Sequence, residues 1–449
     1  MKKHIFIFYT LLLLSCVSTP QPTSKSKLPR SNKWLNPQGE TFAINQKWWK
    51  AFGDETLNSL IKKAIQQNIS LQIAVQRSKL AATSLAEANL KRVPGASVSL
   101  SKESSVSEAN STQKTFKASA SLSWESDLWG KFSKMSSANL AEYKATEADW
   151  RASYLKLIKD ITINYISLRQ YDEQRSLLEK ALGYSSDLKK IHQLLFEKGV
   201  EDKVNYSLEK AENLRIQSEI IEVERARKVI LNQIAILVAE PEGVQIPPRK
   251  LTSSLKPLDF PKDITANLLE RRPDVIAAEL RVQKDFLMSE STRAARLPTI
   301  TLGLSGSLAN ESISLLTQGW AAAIIPKISF PALDPQTKIN VEKQDINLAI
   351  TKKQYEETIV KAISEVEIAL TNRQAHVKRM VLERSRLKEL TDADEKNALS
   401  FKAGVISSLE RIQFQQQLIS AEQQILNFYS QELQDTVTLF TALGGGWDY

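Results

Sequence analysis

The sequence predicts an α + β chain built as two tandem halves, each a pair of short strands carried on very long coiled-coil helices. Three observations predict it. Slid over itself by one constant offset, the chain places Arg77 on Arg281, Pro94 on Pro298 and Arg169-Gln170 on Arg373-Gln374. Two long spans, 131–198 and 336–403, read as uninterrupted helix; the first holds no Pro and one Gly, Gly183. Four short stretches alternate apolar and polar side chains in the manner of strands. The repeat is one large duplication, not a solenoid of about 20–50-residue units. Gly199 falls one residue off Gly404, in "FEKGV" and "FKAGV".

Composition agrees. Gly 14 and Pro 15 are few for 449 residues, which favours long helices. The net charge of +9 raises nucleic acid as a partner. The Lys and Arg are interleaved with Glu and Asp along helix faces, which is the pattern of a solvated helix surface. No nucleic-acid module is visible, so no nucleic-acid partner is expected. No stretch after the N-terminus nears 18 consecutive apolar residues, so no transmembrane helix is expected.

The elements follow in order. Lys2, Lys3 and His4 precede an apolar run, Ile5 to Leu14. That run is about half the ~20 residues a spanning helix needs, so residues 1–15 read as a secretory signal. It ends in Leu13-Leu14-Ser15-Cys16, which resembles a bacterial lipobox and makes Cys16, the one Cys of the chain, the lipidation site. Residues 16–50 are then a lipidated N-terminus and tether, rich at first in Ser, Pro and Lys and too polar for a core. Val17 after the Cys resembles outer-membrane sorting among bacterial lipoproteins.

The first structural repeat spans 51–262. A helix over about 57–91, with Asp54 as its N-cap, leads into two strands within 96–125. A helical hairpin over 131–239 follows, turning at Gly199, and Pro241 opens a Pro-rich equatorial link. Leu177, Ala181, Tyr184, Leu188, Ile191 and Leu195 are spaced 4-3-4-3-4, a coiled-coil seam. Ile216, Ile220, Val223, Arg227, Ile230, Ile234 and Leu237 continue it with one charge inside. The second repeat spans 263–449. Pro273 opens its first helix, strands lie within 299–330, and Asp334-Pro335 caps a hairpin over 336–443. Amide-rich stretches such as "QFQQQLISAEQQ" suit a wall with water on both sides rather than a solid bundle.

In the strands, Val98, Leu100, Phe116, Leu122 and Trp124 take one face, and Ser97, Ser99, Lys117, Ser119 and Ser121 the other. Ile300, Leu302, Leu304, Ile324 and Ile328 likewise oppose Thr301, Ser305, Ser307 and Lys327. Pro326 implies an edge or a bulge. The patterning fits a transmembrane barrel with apolar groups outward, and fits equally a hairpin half-buried on a soluble core. Four strands cannot close a barrel, so a spanning sheet requires several chains to share one.

The stretches "WWKAFGDETLNSLIKKAIQQN", "SWESDLWGKF", "LLERRPDVIAAELRV", "ARLPTITLGLSG" and "LFTALGGGW" resemble the TolC-like outer-membrane factors of tripartite efflux pumps, especially their lipoprotein branch. The resemblance implies a trimeric α + β membrane protein. Each chain gives four strands to a shared twelve-stranded transmembrane β-barrel and its long coiled-coil helices to a periplasmic α-helical barrel. It implies a passive exit duct for drugs and other toxic small molecules, with an outer-membrane location. Partners would be two further copies, outer-membrane lipid, a periplasmic membrane-fusion adaptor and an inner-membrane pump, of the RND in preference to the ABC type. Adaptor docking falls on the hairpin tips Phe196, Gly199, Val200, Phe401, Gly404 and Val405. A periplasmic aperture falls on Leu409, Glu410 and Gln413. Gln413 stands where many members carry Asp, Ile406 where some carry an Arg, and "PALDPQT" where relatives have a Gly-rich turn. The alternatives are a type I protein secretion channel and a non-conducting structural coiled-coil lipoprotein.

No catalytic constellation is visible and no cofactor is expected, so the chain is not read as an enzyme. His192 and His376 lie mid-helix without a ligand spacing for zinc. "GGGW" lacks the Lys-Ser/Thr of a phosphate loop.

Overall fold

The computed structural model describes residues 47–106, 112–256, 271–310 and 320–445. Cys16, the signal 1–15 and all of the tether but its last residues therefore lie outside the described residues. A 3₁₀ turn, Trp48–Phe52, leads into α1 (Glu55–Gln67) and α2 (Ile69–Leu90). The strands β1 (Gly95–Val106) and β2 (Thr112–Glu125) follow, then α3 (Lys131–Glu197) and α4 (Lys203–Leu237). A short turn of helix, α5 (Leu251–Ser254), lies in the link. The second half holds α6 (Pro273–Ala294), β3 (Thr299–Asn310), β4 (Trp320–Ser329), α7 (Pro335–Lys402) and α8 (Ser408–Ala442). Under the offset that carries Arg77 onto Arg281, the starts of α2, β1 and α3 fall on those of α6, β3 and α7.

The caps follow from the residues at each start. Asp54 accepts from the Leu57 N–H at 3.0 Å, and Asp334 accepts from the Gln336 N–H at 2.9 Å with Pro335 as the first helical residue. α7 runs 68 residues and α3 runs 67, so each is roughly 100 Å long at 1.5 Å per residue.

The expected helix over 57–91 is not continuous. Asn68 takes an extended backbone, φ −60° and ψ 121°, and splits it into α1 and α2. Its Oδ1 accepts from the Leu71 N–H at 2.9 Å and its Nδ2 donates to the Leu237 carbonyl at 2.9 Å. The side chain thus caps α2 and ties it to the end of α4. α2 and α4, of 22 and 35 residues, are joined end to end by this bond, and both pack on α3. Asn68 keeps its own i→i−4 bonds, its N–H donating to the Ala64 carbonyl at 2.8 Å and its carbonyl accepting from the Gln72 N–H at 3.1 Å, while its side chain takes the Leu71 N–H in place of a helical carbonyl.

The core sits midway along the helices. Trp48, Phe52, Leu57 and Ile61 from the N-terminal segment meet Ile158, Ile161 and Tyr165 of α3 and Leu433, Val437 and Phe440 of α8. Trp48 stacks on Phe440 with ring centroids 5.2 Å apart. Arg169 is fully buried there and donates to Asp172 at 3.0 Å, to the Pro247 carbonyl at 2.7 Å and to the Tyr165 hydroxyl at 2.8 Å. The Tyr165 hydroxyl donates to Asp54 at 2.8 Å. Burial pushes the Tyr165 phenol up to about 12, so it remains a donor at neutral pH. Arg227, the charge within the α4 seam, donates to Asp172 at 2.6 Å and to the Ile246 carbonyl. That pairing explains how the seam holds a charge. Toward the strands the packing side of α3 narrows to Ala138, Ala141, Ala145 and Ala148, all buried, which lets neighbouring helices approach closely.

The sheet has the order β1-β2-β3-β4, every pair antiparallel, so β2 and β3 join the two halves and β1 and β4 are open edges. Pro326 lies on the edge strand in unbroken register opposite Leu302, with no bulge. On the polar face, Ser121 faces Ser97 and Ser305, and Ser119 faces Ser99 and Ser307. The hydroxyls of Ser97 and Ser121, and of Ser99 and Ser119, are 2.8 Å apart. On the other face, Leu122 lies opposite Leu304 and Trp124 opposite Leu302.

Candidate functional site

Two ends of the molecule carry groups that could act on a solute or partner: the hairpin tips and the polar face of the sheet. The tips have one design. At the first, Gly199 adopts φ +69°; its N–H donates to the Phe196 carbonyl and the Val200 N–H to the Leu195 carbonyl. At the second, Gly404 adopts φ +73°; its N–H donates to the Phe401 carbonyl and the Val405 N–H to the Ser400 carbonyl. A left-handed residue closing a helix in this way favours glycine, and here the constraint is the backbone alone, since a Cβ at either position would meet no atom within 4 Å. Each turn leaves its Phe and its Val exposed. The Phe196 ring stacks on Tyr206 at 6.4 Å, which holds the first tip's aromatic group in place.

The expected aperture residues lie on the first turns of α8. Leu409 is half-buried, and Glu410 and Gln413 are exposed. Glu410 is not a free carboxylate. Its Oε2 accepts from the Ser407 N–H at 2.8 Å and from the Ser407 hydroxyl at 2.9 Å, while its own N–H donates to the Ser407 Oγ at 3.2 Å. This is a capping box, and the bond from the Ser407 N–H is the main cause holding the Glu410 carboxyl below its ordinary value.

Beside it lies a network that sequence reading missed. Asp394 on α7 accepts from Arg411 and, at 2.5 Å, from Gln415, both on α8. Arg411 also donates to Asn397 at 3.2 Å. The Tyr184 hydroxyl of α3 donates to Gln415 at 3.0 Å, so three helices from both halves meet at one polar junction. A signal was present: Asp394 and Arg411 lie nearly equidistant from the turn, as facing residues of an antiparallel hairpin must.

The two histidines also find their partners on the returning chain. His192 Nδ1 is 2.8 Å from Glu201 Oε2 across the first turn, and His376 Nδ1 is 2.5 Å from Asp435 Oδ2 across the second hairpin. Both therefore have a carboxylate partner in space that local spacing did not reveal. Burial pushes the Asp435 carboxyl up, against the pull of His376. Among the described residues no group of three His, Cys, Asp or Glu is placed to hold a metal ion.

At the other end, the polar face of the sheet is a field of hydroxyls with few ionised groups. Glu125 is paired with Lys131 at 2.8 Å. Lys117, opposite Ser101, and Lys327, opposite Thr301, stand on the same face.

The family described as "Outer membrane efflux protein" matches residues 60–240 and 265–445 of the chain. The chain is 26% identical over 466 residues to the probable outer membrane lipoprotein SilC of Salmonella typhimurium, covering 99% of each chain. It is 24% identical over 423 residues to the cation efflux system protein CusC of Escherichia coli O157:H7, covering 90% of this chain and 89% of that one. Among solved structures, the open state of the Neisseria gonorrhoeae MtrE outer membrane channel superposes with a TM-score of 0.81 at 22% identity, over 92% of this chain and 94% of that one. A crystal structure of CusC gives a TM-score of 0.79 at 22% identity, over 92% and 97%.

Proposed function

We infer the work of this chain from its family: it belongs to the outer membrane efflux proteins, and it is the outer-membrane channel component of an efflux system. We propose that three copies assemble, each giving its four strands to one twelve-stranded barrel and its helices to a tube across the periplasm. The duct is passive, and an adaptor and an inner-membrane pump of the RND type supply energy and cargo. The cargo is small molecules. The relatives' names include cation, toluene and pyoverdine exporters, so the family name does not choose among them.

The observation that carries the reading is the sheet. It has one hydroxyl face, one apolar face and two open edges, in a chain that is otherwise two long helical hairpins. Open edges in lipid are not tolerated, and further copies remove them. The exposed Phe and Val of each tip support adaptor docking at Phe196, Gly199, Val200, Phe401, Gly404 and Val405. We also propose the aperture at Leu409, Glu410 and Gln413, next to the Asp394 junction. Cys16 as the lipid anchor is proposed from the lipobox alone. We also propose the two repeats as 51–262 and 263–449.

The test is efflux in cells. A strain lacking the chain should retain a fluorescent efflux dye, and the restored gene should expel it. A deletion strain that clears a panel of dyes and drugs as fast as its parent would sink the reading.

A further inference from the structure

A recess of about 560 Å³ opens where the start of α6 meets the end of α8, between α3 and α7. Pockets of this size hold small organic molecules. Helix phase shows which way it opens. On α3 the core takes Ile158, Ile161 and Tyr165, and the recess takes Lys156, Lys159 and Asp160. On α8 the core takes Leu433, Val437 and Phe440, and the recess takes Asp435 and Thr438. At about 100° per residue the two sets lie on opposite sides of each helix. The N-terminal segment and the link cover the core side, through Trp48, Phe52, Ile246 and Leu251. The recess opens on the other side, which in a tube is the inside.

Charge divides its lining by helix. α3 brings Lys156 and Lys159 with one carboxylate, Asp160, whereas α7 and α8 bring the carboxylates Glu365 and Asp435. α6 adds Arg272, already held by Asp274 at 2.7 Å and by Glu365 at 2.8 Å. Among the described residues Lys156 and Lys159 close no ion pair; they act through space on Asp160 of their own helix. Burial pushes the carboxyls of Asp160 and Asp435 up, against the pull of these lysines on the first and of His376 on the second. A cation beside them would relieve a desolvation that the chain leaves partly uncompensated. Leu155, Pro273, Ile368 and Ala369 supply apolar surface in the same recess, and Ile368 is 60% exposed. Packing of the long helices does not ask for these charges. Under the offset of the two halves, Lys156, Lys159 and Asp160 fall on Val360, Ile363 and Ser364 of α7.

We propose that this recess is a binding site for cargo and that it takes a small zwitterion with an apolar body. The cationic group of the solute goes to Asp160 and Asp435, and its anionic group to Lys156 and Lys159. A plain cation would meet the two lysines and a plain anion the carboxylates, so a solute of one charge is repelled by part of the lining. The site adds no energy source and the duct stays passive. The inference rests on the channel reading above and narrows its cargo to a chemical class.

The test is dye binding by the purified full-chain oligomer in a non-ionic detergent, read as fluorescence anisotropy. The probes are rhodamine B, an apolar ring system that is zwitterionic at neutral pH, and its ethyl ester, which lacks only the anionic group. Rhodamine B should bind saturably, and the ester about ten-fold more weakly. Lys156→Gln with Lys159→Gln should lower rhodamine B to the affinity of the ester without weakening the ester itself. Asp160→Asn with Asp435→Asn should weaken both dyes. No saturable binding of rhodamine B, equal affinity for the two dyes, or a lysine variant that binds like the parent or loses both dyes equally would each overturn the inference. Native gels and dye efflux in cells report the channel reading separately. An intact oligomer that expels dyes but binds neither rhodamine leaves that reading standing, and a parent chain that neither assembles nor expels dyes would overturn both.

Discussion

Asn68 and Arg272 occupy the same place in the two halves, and each donates to the last turn of a returning helix. Asn68 Nδ2 binds the Leu237 carbonyl and Arg272 Nη1 binds the Ala442 carbonyl, both at 2.9 Å. One contact is thus made by two unlike side chains. The amide also caps its own helix, whereas the guanidinium binds Asp274 at 2.7 Å and Glu365 at 2.8 Å.

Asn68→Ala should therefore remove a helix cap and leave the Leu237 carbonyl without its donor. The cap alone is worth about 1 kcal/mol and the orphaned carbonyl a similar amount. Thermal unfolding followed by circular dichroism should show a lowered midpoint, and Asn68→Asp, which keeps the cap but not the donor, should recover part of it. An unchanged midpoint in both variants would show that the break in the helix is held by packing alone.

Gly404→Ala should strain the second tip, since an L side chain resists φ +73° at a cost of about 1 kcal/mol. Dye efflux and co-purification with the adaptor should fall together while oligomers persist. Retained adaptor binding with normal efflux would remove this tip from the docking surface.

The capping box gives a pH dependence with a definite sign. The Glu410 carboxyl is held below its ordinary value of 4.5, so its contribution is complete above that value and fades as pH falls through the lowered one. Hydrogen exchange at the Ser407 and Glu410 amides should accelerate relative to neighbouring amides as pH drops below about 4.5. Glu410→Gln, which keeps the acceptor, should flatten the profile. A wild-type profile as flat as the variant's would mean that the box does not form.

Asp394→Ala would release Arg411 and Gln415, and through Gln415 the link to Tyr184. Leu409→Ala with Glu410→Ala would widen the neighbouring turn. In planar bilayers both should raise single-channel conductance over a poorly conducting parent, and the double variant should weaken cation preference. Parental conductance from both variants would place the constriction elsewhere along the tube.

Arg at Leu122 or Leu302 should cost about 2–4 kcal/mol near the bilayer midplane, while Arg at Ser121 or Thr301 should be tolerated. Heat-resistant oligomer on gels reads the difference. Equal losses at the two kinds of position would mean that the sheet does not span lipid.

Much of this architecture was legible in the sequence. The caps at Asp54 and Asp334, the helix start at Pro273, the strand alternation and the two turns at Gly199 and Gly404 are local signals, and local signals fixed them. The break at Asn68 was not legible, because its cause is a carbonyl 169 residues away. The carboxylate partners of His192 and His376 and the Asp394 junction escaped for the same reason: they are contacts across a hairpin. The Arg227 inside the seam looked like a fault in the pattern until the buried Asp172 explained it. Ser407 with Glu410 is a capping-box spacing, a local signal that the reading of Glu410 as an aperture residue did not use.

The serine-lined face of the sheet has a consequence for direction. On the channel reading proposed above, a passive wall of this kind holds no energy source, so by microscopic reversibility it passes traffic equally well inward and outward. A conduit of this kind cannot be one-way by its own lining.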